Sequence, residues 1–390
     1  MIAISTPHTS TPSNAPRQPD VDKPAADEEA LNAFLGQMVS ASAPPCMSSP
    51  WIRRRVTAVL AALAIMFVVP SSAAWAGKPG HSMPVVSVLN STALGGLGSG
   101  STIGPDGALY VTNGNAGTLV RIDPRNGSAT VVGTGLPPRV IFVGGAMDVA
   151  FVGHRAYVLV TAAGSDFGVP DAVMGIYRLK RDGTFSAFAD LGTWSAAHPP
   201  ADPDWNAAQG LQYSLDVWRD GFVVADAHLG RVIRVDSRGH ISELLAFPST
   251  NSVPTGLEVA NGKVFVATAG PIPHLPSDSA ISAVRRDGST KVVGKWAADY
   301  AGDRGLIVDV EMGRHQRLYG LLQGHWDHES NPENEGAPAA ANTGEIVAVN
   351  EDGSFESVVS GLDQPTSLEL VGGTAFVVTL SGTILRIDRF

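Results

Sequence analysis

Cysteine is nearly absent: Cys46 is the only one. No disulfide can form within the chain, so its stability has to come from a packed core. Cys46 also precedes the chain's apolar segment, which is not where a bacterial lipid-anchor cysteine would stand. Basic residues are outnumbered, with 27 Lys and Arg against 37 Asp and Glu and a formal charge of −10. A nucleic-acid partner needs a basic face, and this balance excludes one. Long apolar runs are missing too. The run at residues 56–69 would rise about 21 Å as a helix, short of the ~30 Å hydrocarbon core of a bilayer. Helical periodicity is scarce, and 27–39 (DEEALNAFLGQMV) is the stretch that carries it.

What the chain does have is turn residues, 43 Gly and 27 Pro, set between short Val- and Ile-rich runs. The stretch at 213–247 is the clearest unit. It reads YSLDVW, Asp220-Gly221, FVVADA, RVIRVD, Arg238-Gly239 and HISELLAF. Short alternating or wholly apolar runs bounded by turn residues are strands joined by hairpins. Asp-Gly suits the tight turns because glycine takes positive φ without a Cβ clash. The unit is therefore four antiparallel strands, A to D. A sheet apolar on both faces needs copies of itself on either side.

Five more copies lie along 85–390, at a period of about 51 residues. The sixth has its A, B and C strands (TSLELV, TAFVVT, TILRID) but no D strand before the chain stops at Phe390. A spare strand, VVSVL at 85–89, precedes the first copy. Pairing it with TILRID completes the last sheet and removes the exposed edges. The fold predicted is an all-β, six-bladed β-propeller at 77–390 whose N-terminal strand closes the last blade.

Strand parity assigns the loops. The A–B and C–D turns fall on one face of the ring and are mostly Asp-Gly or Asn-Gly. The B–C and D–A connections fall on the other and hold nearly every long insertion: 136–146, 162–173, 192–212, 270–279, 297–305 and 324–343. Long loops on a rigid scaffold are where function usually sits. The candidates on that face are Trp205, His228, His325, Trp326, Asp327 and His328, with Trp194 as further aromatic surface for a sugar, pigment or protein. The cluster QGHWDHE at 323–329 has two histidines that could hold a transition metal, set against its reading as a solvated loop. Asp202-x-Asp204-x-Asn206 begins like a Ca²⁺ loop but has Ala207 where glycine is required.

A second signal is a register of acids on the A strands: Asp148, Asp216, Glu258, Asp309 and Glu369, with Thr102 in the first copy. A strands line the centre of a propeller, so these carboxylates converge. Crowded carboxylates cannot all ionise cheaply without donors or a cation. Two uses are open. Each acid can accept hydrogen bonds from the backbone of the next blade, or Asp148, Asp216, Glu258 and Asp309 can hold a hard cation such as Ca²⁺. The glycine run at 95–100 precedes a strand rather than a helix, so it is a loop and not a nucleotide motif.

The phrases SLDVWRDGFVVADAHLGRVIRVDSRGHISELLAFP, VPTGLEVANGKVFVATAGP and DQPTSLELVGGTAFVVTLSGTILRID resemble the ScyD/ScyE family of exported bacterial propellers over about 85–390. The resemblance implies a secreted or periplasmic six-bladed propeller, more distantly similar to NHL-repeat and gluconolactonase-like propellers. It brings no settled reaction. Gluconolactonase-like enzymes hold a divalent metal with Glu, Asn and Asp on inner strands. Here the first blade lacks the acid, and Asn113 is the nearest stand-in.

Export has its own signal at 53–76: Arg53-Arg54-Arg55, the apolar run, then Ala74-Trp75-Ala76. That order is a basic n-region, an h-region and a cleavage site, with 47–76 as the signal peptide. Residues 1–46, rich in Ser, Pro and Ala, are expected to be a disordered extension or a misassigned start upstream of Met47. The mature protein is expected to be a secreted monomer with no stable membrane span. Two functions follow: a binding protein using the elaborated face, or a metal-dependent lactonase- or esterase-like hydrolase with a cation in the channel.

Overall fold

The computed structural model describes residues 83–141, 144–200, 208–247, 252–270, 275–285, 287–296, 304–326 and 339–390. The proposed signal peptide and the extension before it lie outside them. The described chain opens with β1 (Val85–Asn90). Blade 1 follows as β2 (Gly98–Ile103), β3 (Leu109–Asn113), β4 (Thr118–Ile122) and β5 (Ala129–Gly133). Blade 2 is β6 (Gly145–Val152), β7 (Arg155–Thr161), β8 (Gly175–Leu179) and β9 (Phe185–Asp190). A short helix, α1 (Leu191–Ala197), then leads to blade 3: β10 (Gln212–Trp218), β11 (Gly221–Asp226), β12 (Arg231–Val235) and β13 (Ile241–Ala246). Blade 4 is β14 (Pro254–Ala260), β15 (Lys263–Thr268), β16 (Ala280–Val284) and β17 (Thr290–Lys295). Blade 5 is β18 (Arg304–Met312), β19 (Leu318–His325), β20 (Gly344–Val349) and β21 (Phe355–Leu362). The last three strands are β22 (Pro365–Val371), β23 (Thr374–Thr379) and β24 (Ile384–Asp388).

Each blade is one antiparallel four-stranded sheet, and the sixth has the order β1-β24-β23-β22. Val85 pairs with Asp388, Val86 with Ile387 and Val88 with Leu385. The ring is therefore closed by the strand that begins the described chain, as expected. The A strands β2, β6, β10, β14, β18 and β22 each touch the next, and β22 touches β2. The protein is a six-bladed β-propeller.

Burial follows from this arrangement. The B strands are sandwiched between blades and are almost wholly apolar; every residue of β11 is buried. The core is a series of inter-blade clusters, such as Leu159, Ile176, Phe222, Val224 and Ile233 between blades 2 and 3. Burying each such side chain contributes about 1.5–3 kcal/mol.

The connections divide by face as strand parity requires. The A–B links at 153–154, 219–220, 261–262 and 372–373 are minimal, while the longer links, from β7 to β8, β9 to β10, β15 to β16 and β19 to β20, are all B–C or D–A connections. Three of these connections hold short helical segments among their described residues, 3-10 turns at Ser165–Phe167 and Pro276–Asp278 and an α-helix after β9. Residues 191–197 form α1, whose N-cap Asp190 accepts from Thr193 N–H at 2.9 Å.

Candidate functional site

The inner strands share one local feature that strand alternation does not reveal. Every A–B pairing shifts register near the start of the A strand, as between Ala146 and Asp148, Gln212 and Ser214, Pro254 and Gly256, Ile307 and Asp309, and Pro365 and Ser367. A β-bulge puts two residues opposite one and re-aims those after it. Counting from these bulges corrects the single acid register read from the sequence. Asp216, Glu258 and Glu369 pair with Val223, Phe265 and Phe376, and the residue of blade 5 at that level is Glu311, opposite Tyr319. Asp148 and Asp309 sit two residues earlier on their strands, level with Ser214, Gly256 and Ser367. Two tiers of carboxylates therefore line the channel, and Glu311 is a member the sequence reading missed. Asp309 and Glu311, two apart and so on one face of β18, were the available signal.

The earlier tier is a set of buckles between blades. Asp148 Oδ2 accepts from Leu215 N–H at 2.7 Å and from Ser214 Oγ at 3.1 Å, and its Oδ1 accepts from Val149 N–H at 2.8 Å. Asp309 repeats the pattern, with Leu368 N–H on Oδ2 and Val310 N–H on Oδ1, each at 2.8 Å. The serines pass the link onward. Ser214 Oγ accepts from Leu257 N–H at 3.1 Å, and Ser367 Oγ from Ser101 N–H at 3.0 Å. The blade preceding each aspartate has glycine at this level. A Cβ on Gly100 would stand 2.6 Å from Met147 O and meet the Asp148 carboxylate. One on Gly256 would stand 2.7 Å from Asp309 Cα. Gly100, Asp148 and Ser214 in blades 1–3 are thus repeated as Gly256, Asp309 and Ser367 in blades 4–6, a two-fold pattern laid over six blades.

The later tier is tied less completely. Asp216 accepts from Val217 and Val259 N–H, each at 2.6 Å, and Glu258 from Met312 N–H at 3.2 Å. Burial raises every one of these acids, because desolvation disfavours the charged form. Asp216 moves to about 6, and Asp309 to about 7 against the pull of its backbone donors. Glu258 moves to about 8, with the charge of Asp216 adding to burial. Asp148, Glu311 and Glu369 are raised well above the usual carboxyl range, by burial first, with the charge of neighbouring carboxylates adding to it. All six residues keep partial exposure, as groups facing a channel do. Among the described residues, no three His, Cys, Asp or Glu side chains are gathered as one metal ion would require. Four of these acids, Asp148, Asp216, Glu258 and Asp309, each accept an N–H of the next blade.

At the D–A/B–C end lies an apolar cluster. Ala227, Val253, Ala269, Leu306 and Ala339 are buried, with Tyr213, Val308 and Trp326 packed against them. Trp326 therefore sits partly buried in this cluster. His325 ends β19, and its N–H donates to Thr343 Oγ1 at 2.9 Å. His228 lies beside Tyr213, with ring centroids 6.2 Å apart. Burial pushes His228 down to about 4 and Tyr213 up to about 12, so both are neutral across the physiological range. Trp205, Asp327, His328 and the Asp202–Asn206 motif lie outside the described residues.

The same face carries a cleft beside α1. Its volume is about 230 Å³, and it lies between the connection after β7 and the two ends of the connection after β9. Ser165, Asp171, Asp190, Thr193 and Gln209 supply its polar lining. Underneath, α1 is moored to blade 3 by Arg231, which is 1% exposed. Its guanidinium bonds Asp226 at 3.2 Å, donates to His198 O at 2.6 Å, and lies 4.9 Å from the centre of the Trp194 ring. Breaking a buried pair from one side strands a charge, so this mooring holds the wall of the cleft in place. Trp194 is thereby committed to Arg231 and stacks on His198.

No protein-family model matches the chain, and no curated protein does. Solved structures do resemble it. A luciferin-regenerating enzyme aligns with a TM-score of 0.52 at 11% identity, over 78% of this chain and 95% of that one. A gluconolactonase from Xanthomonas campestris aligns at 0.50 and 12%, over 78% and 89%. A protein of unknown function from Bacteroides thetaiotaomicron aligns at 0.50 and 10%, over 78% and 72%. Similarity at this level shows a shared propeller architecture, and one architecture hosts many chemistries.

Proposed function

We propose that this chain is an exported binding propeller of the ScyD/ScyE type, which takes a partner or small molecule on the face carrying the D–A and B–C connections. The observation that carries the reading is how the channel carboxylates are used. Both oxygens of Asp148, Asp216 and Asp309 accept backbone N–H groups, one from the acid's own strand and one from the next blade. Acids committed in this way hold the ring together. What varies between blades is the set of long connections on one face, and variation on a repeated scaffold is where recognition is built. Export is supported by the basic, apolar and Ala-Trp-Ala succession at 53–76.

The test is an assay of purified protein with δ-gluconolactone and p-nitrophenyl acetate, with added Ca²⁺ and with EDTA. The expected rates match the protein-free control in both conditions. Lactone turnover that EDTA abolishes would overturn the binding reading and restore the hydrolase.

A further inference from the structure

We propose that the bare face of the propeller, formed by the A–B and C–D turns, docks on an anionic lipid bilayer. That face is opposite the D–A/B–C surface, so the two readings stand or fall separately. The chain carries a formal charge of −10, yet basic residues gather at the A–B links of consecutive blades. They are Arg155 in blade 2, Arg219 in blade 3, Lys263 in blade 4 and Arg314 in blade 5. All four are exposed, and none forms an ion pair among the described residues. The aspartates of these links do not offset them, because Asp106 pairs with Arg121 at 2.7 Å and Asp220 with Arg234 at 3.2 Å. Glu258, Glu311 and Glu369, on inner strands that lead to these links, are held protonated by burial, Glu258 to about 8. The C–D turns further out carry both signs, as with Arg238 and Asp236. The described D–A and B–C connections are the reverse, with Asp166, Asp171, Asp278 and Asp363 against Arg139. The molecule is positive at the centre of one face and acidic on the other, and the field of an anionic surface turns the first towards it.

The shape and apolar content of the bare face favour a bilayer over a soluble polyanion. Four of its A–B links have two residues each, so the basic side chains stand on a shallow surface. Val152 and Val371 end their A strands beside these links at 42% and 44% exposure. Trp218 ends another and is partly buried, with the guanidinium groups of Arg219 and Arg234 4.1 and 5.9 Å from its ring centre. Basic groups set among apolar and tryptophan side chains suit the headgroup region of a membrane. There the charges meet lipid phosphate and the apolar groups reach the acyl boundary. A charged polymer in solution gives Val152 and Val371 nothing to enter. Docked in this way, the protein turns its long connections towards solvent.

The test uses the full chain with Cys46→Ser and one new cysteine carrying a polarity-sensitive dye. The cysteine is Val371→Cys on the bare face or Ser165→Cys on the opposite one. At low salt the dye at position 371 should shift to the blue on vesicles of phosphatidylcholine and phosphatidylglycerol, and not on phosphatidylcholine alone. High salt should reverse the shift, because the attraction is screened. The dye at position 165 should not respond. In sedimentation with the mixed vesicles, a chain with Arg155→Glu, Lys263→Glu and Arg314→Glu should bind at least tenfold more weakly than the parent. Both chains share residues 1–82, so a contact made by that segment is common to them. Equal shifts at the two positions, undiminished binding after the charge reversals, or binding to pure phosphatidylcholine as tight as to the mixture overturns the proposal. So does binding of dextran sulfate without binding of vesicles, which would make the partner a soluble polyanion.

Discussion

The aspartate buckles place an unusual demand on single residues. Each Asp148 or Asp309 carboxylate accepts one N–H of its own strand and one of the next blade. An amide has one acceptor oxygen, so Asp309→Asn orphans one of the two donors. The expected loss is about 1–3 kcal/mol, measured as a shift in urea midpoint at unchanged slope. Gly256→Ala should be destabilising by a similar amount, since its Cβ would press on Asp309 Cα from 2.7 Å and overpacking of this kind costs about 1–3 kcal/mol. Glycine at this level is set by the neighbouring blade rather than by its own φ. A neutral outcome for Gly256→Ala would mean that the blades can separate slightly at no cost.

Closure depends on an element that differs from most of its counterparts. β1 is exposed at Val85, Val86, Ser87 and Val88 in succession, and it carries no charge. Four of the other five outer strands have one, Asp190 in β9, Glu243 in β13, Lys291 and Lys295 in β17 and Glu356 in β21, while β5 has none. Charges on edge strands discourage pairing with other molecules. Removing residues 83–90 should expose β24 as a new edge. The expected result is a lower melting temperature together with higher-order species in size-exclusion chromatography. A monomer of unchanged stability would show that the ring does not need its closing strand. At this scale the sequence was legible where the local pattern was complete. Asp-Gly and Asn-Gly turns mark the A–B and C–D hairpins, and VVSVL at 85–89 was recognisable as a strand without a blade. α1 was read as part of a loop because its capping pair, Asp190 and Thr193, stands in a segment too short to show a helical period. Its stability comes from Arg231, a residue of another blade.

For the molecule as a whole, the channel acids set the response to pH. In the unfolded chain these carboxyls ionise near 4. In the folded ring Asp216, Asp309 and Glu258 hold their protons to about 6, 7 and 8. The folded state therefore binds more protons between these limits, and stability falls with rising pH there. The contribution is fully present below about 4 and is lost as pH rises through 6 to 8. The melting temperature should be higher at pH 5 than at pH 8.5, and Glu258→Gln, which cannot ionise, should flatten the decline. A stability maximum above pH 8 would mean that the channel acids are ionised in the folded protein.

Repetition was written into the sequence. Six runs of one strand pattern, an incomplete last copy and a spare first strand required a closed ring, because sheets apolar on both faces have no other way to cover themselves and their edges. The division into a bare and an elaborated face followed from strand parity alone. The tertiary structure decided which acids stand level with one another, because β-bulges shift register without any mark in the residue pattern, and so Glu311 joined the channel and Asp148 and Asp309 left the tier first read for them. It also decided what those acids do, since a carboxylate's partner is the backbone of a blade 43–67 residues away, and only the folded ring brings that N–H to it.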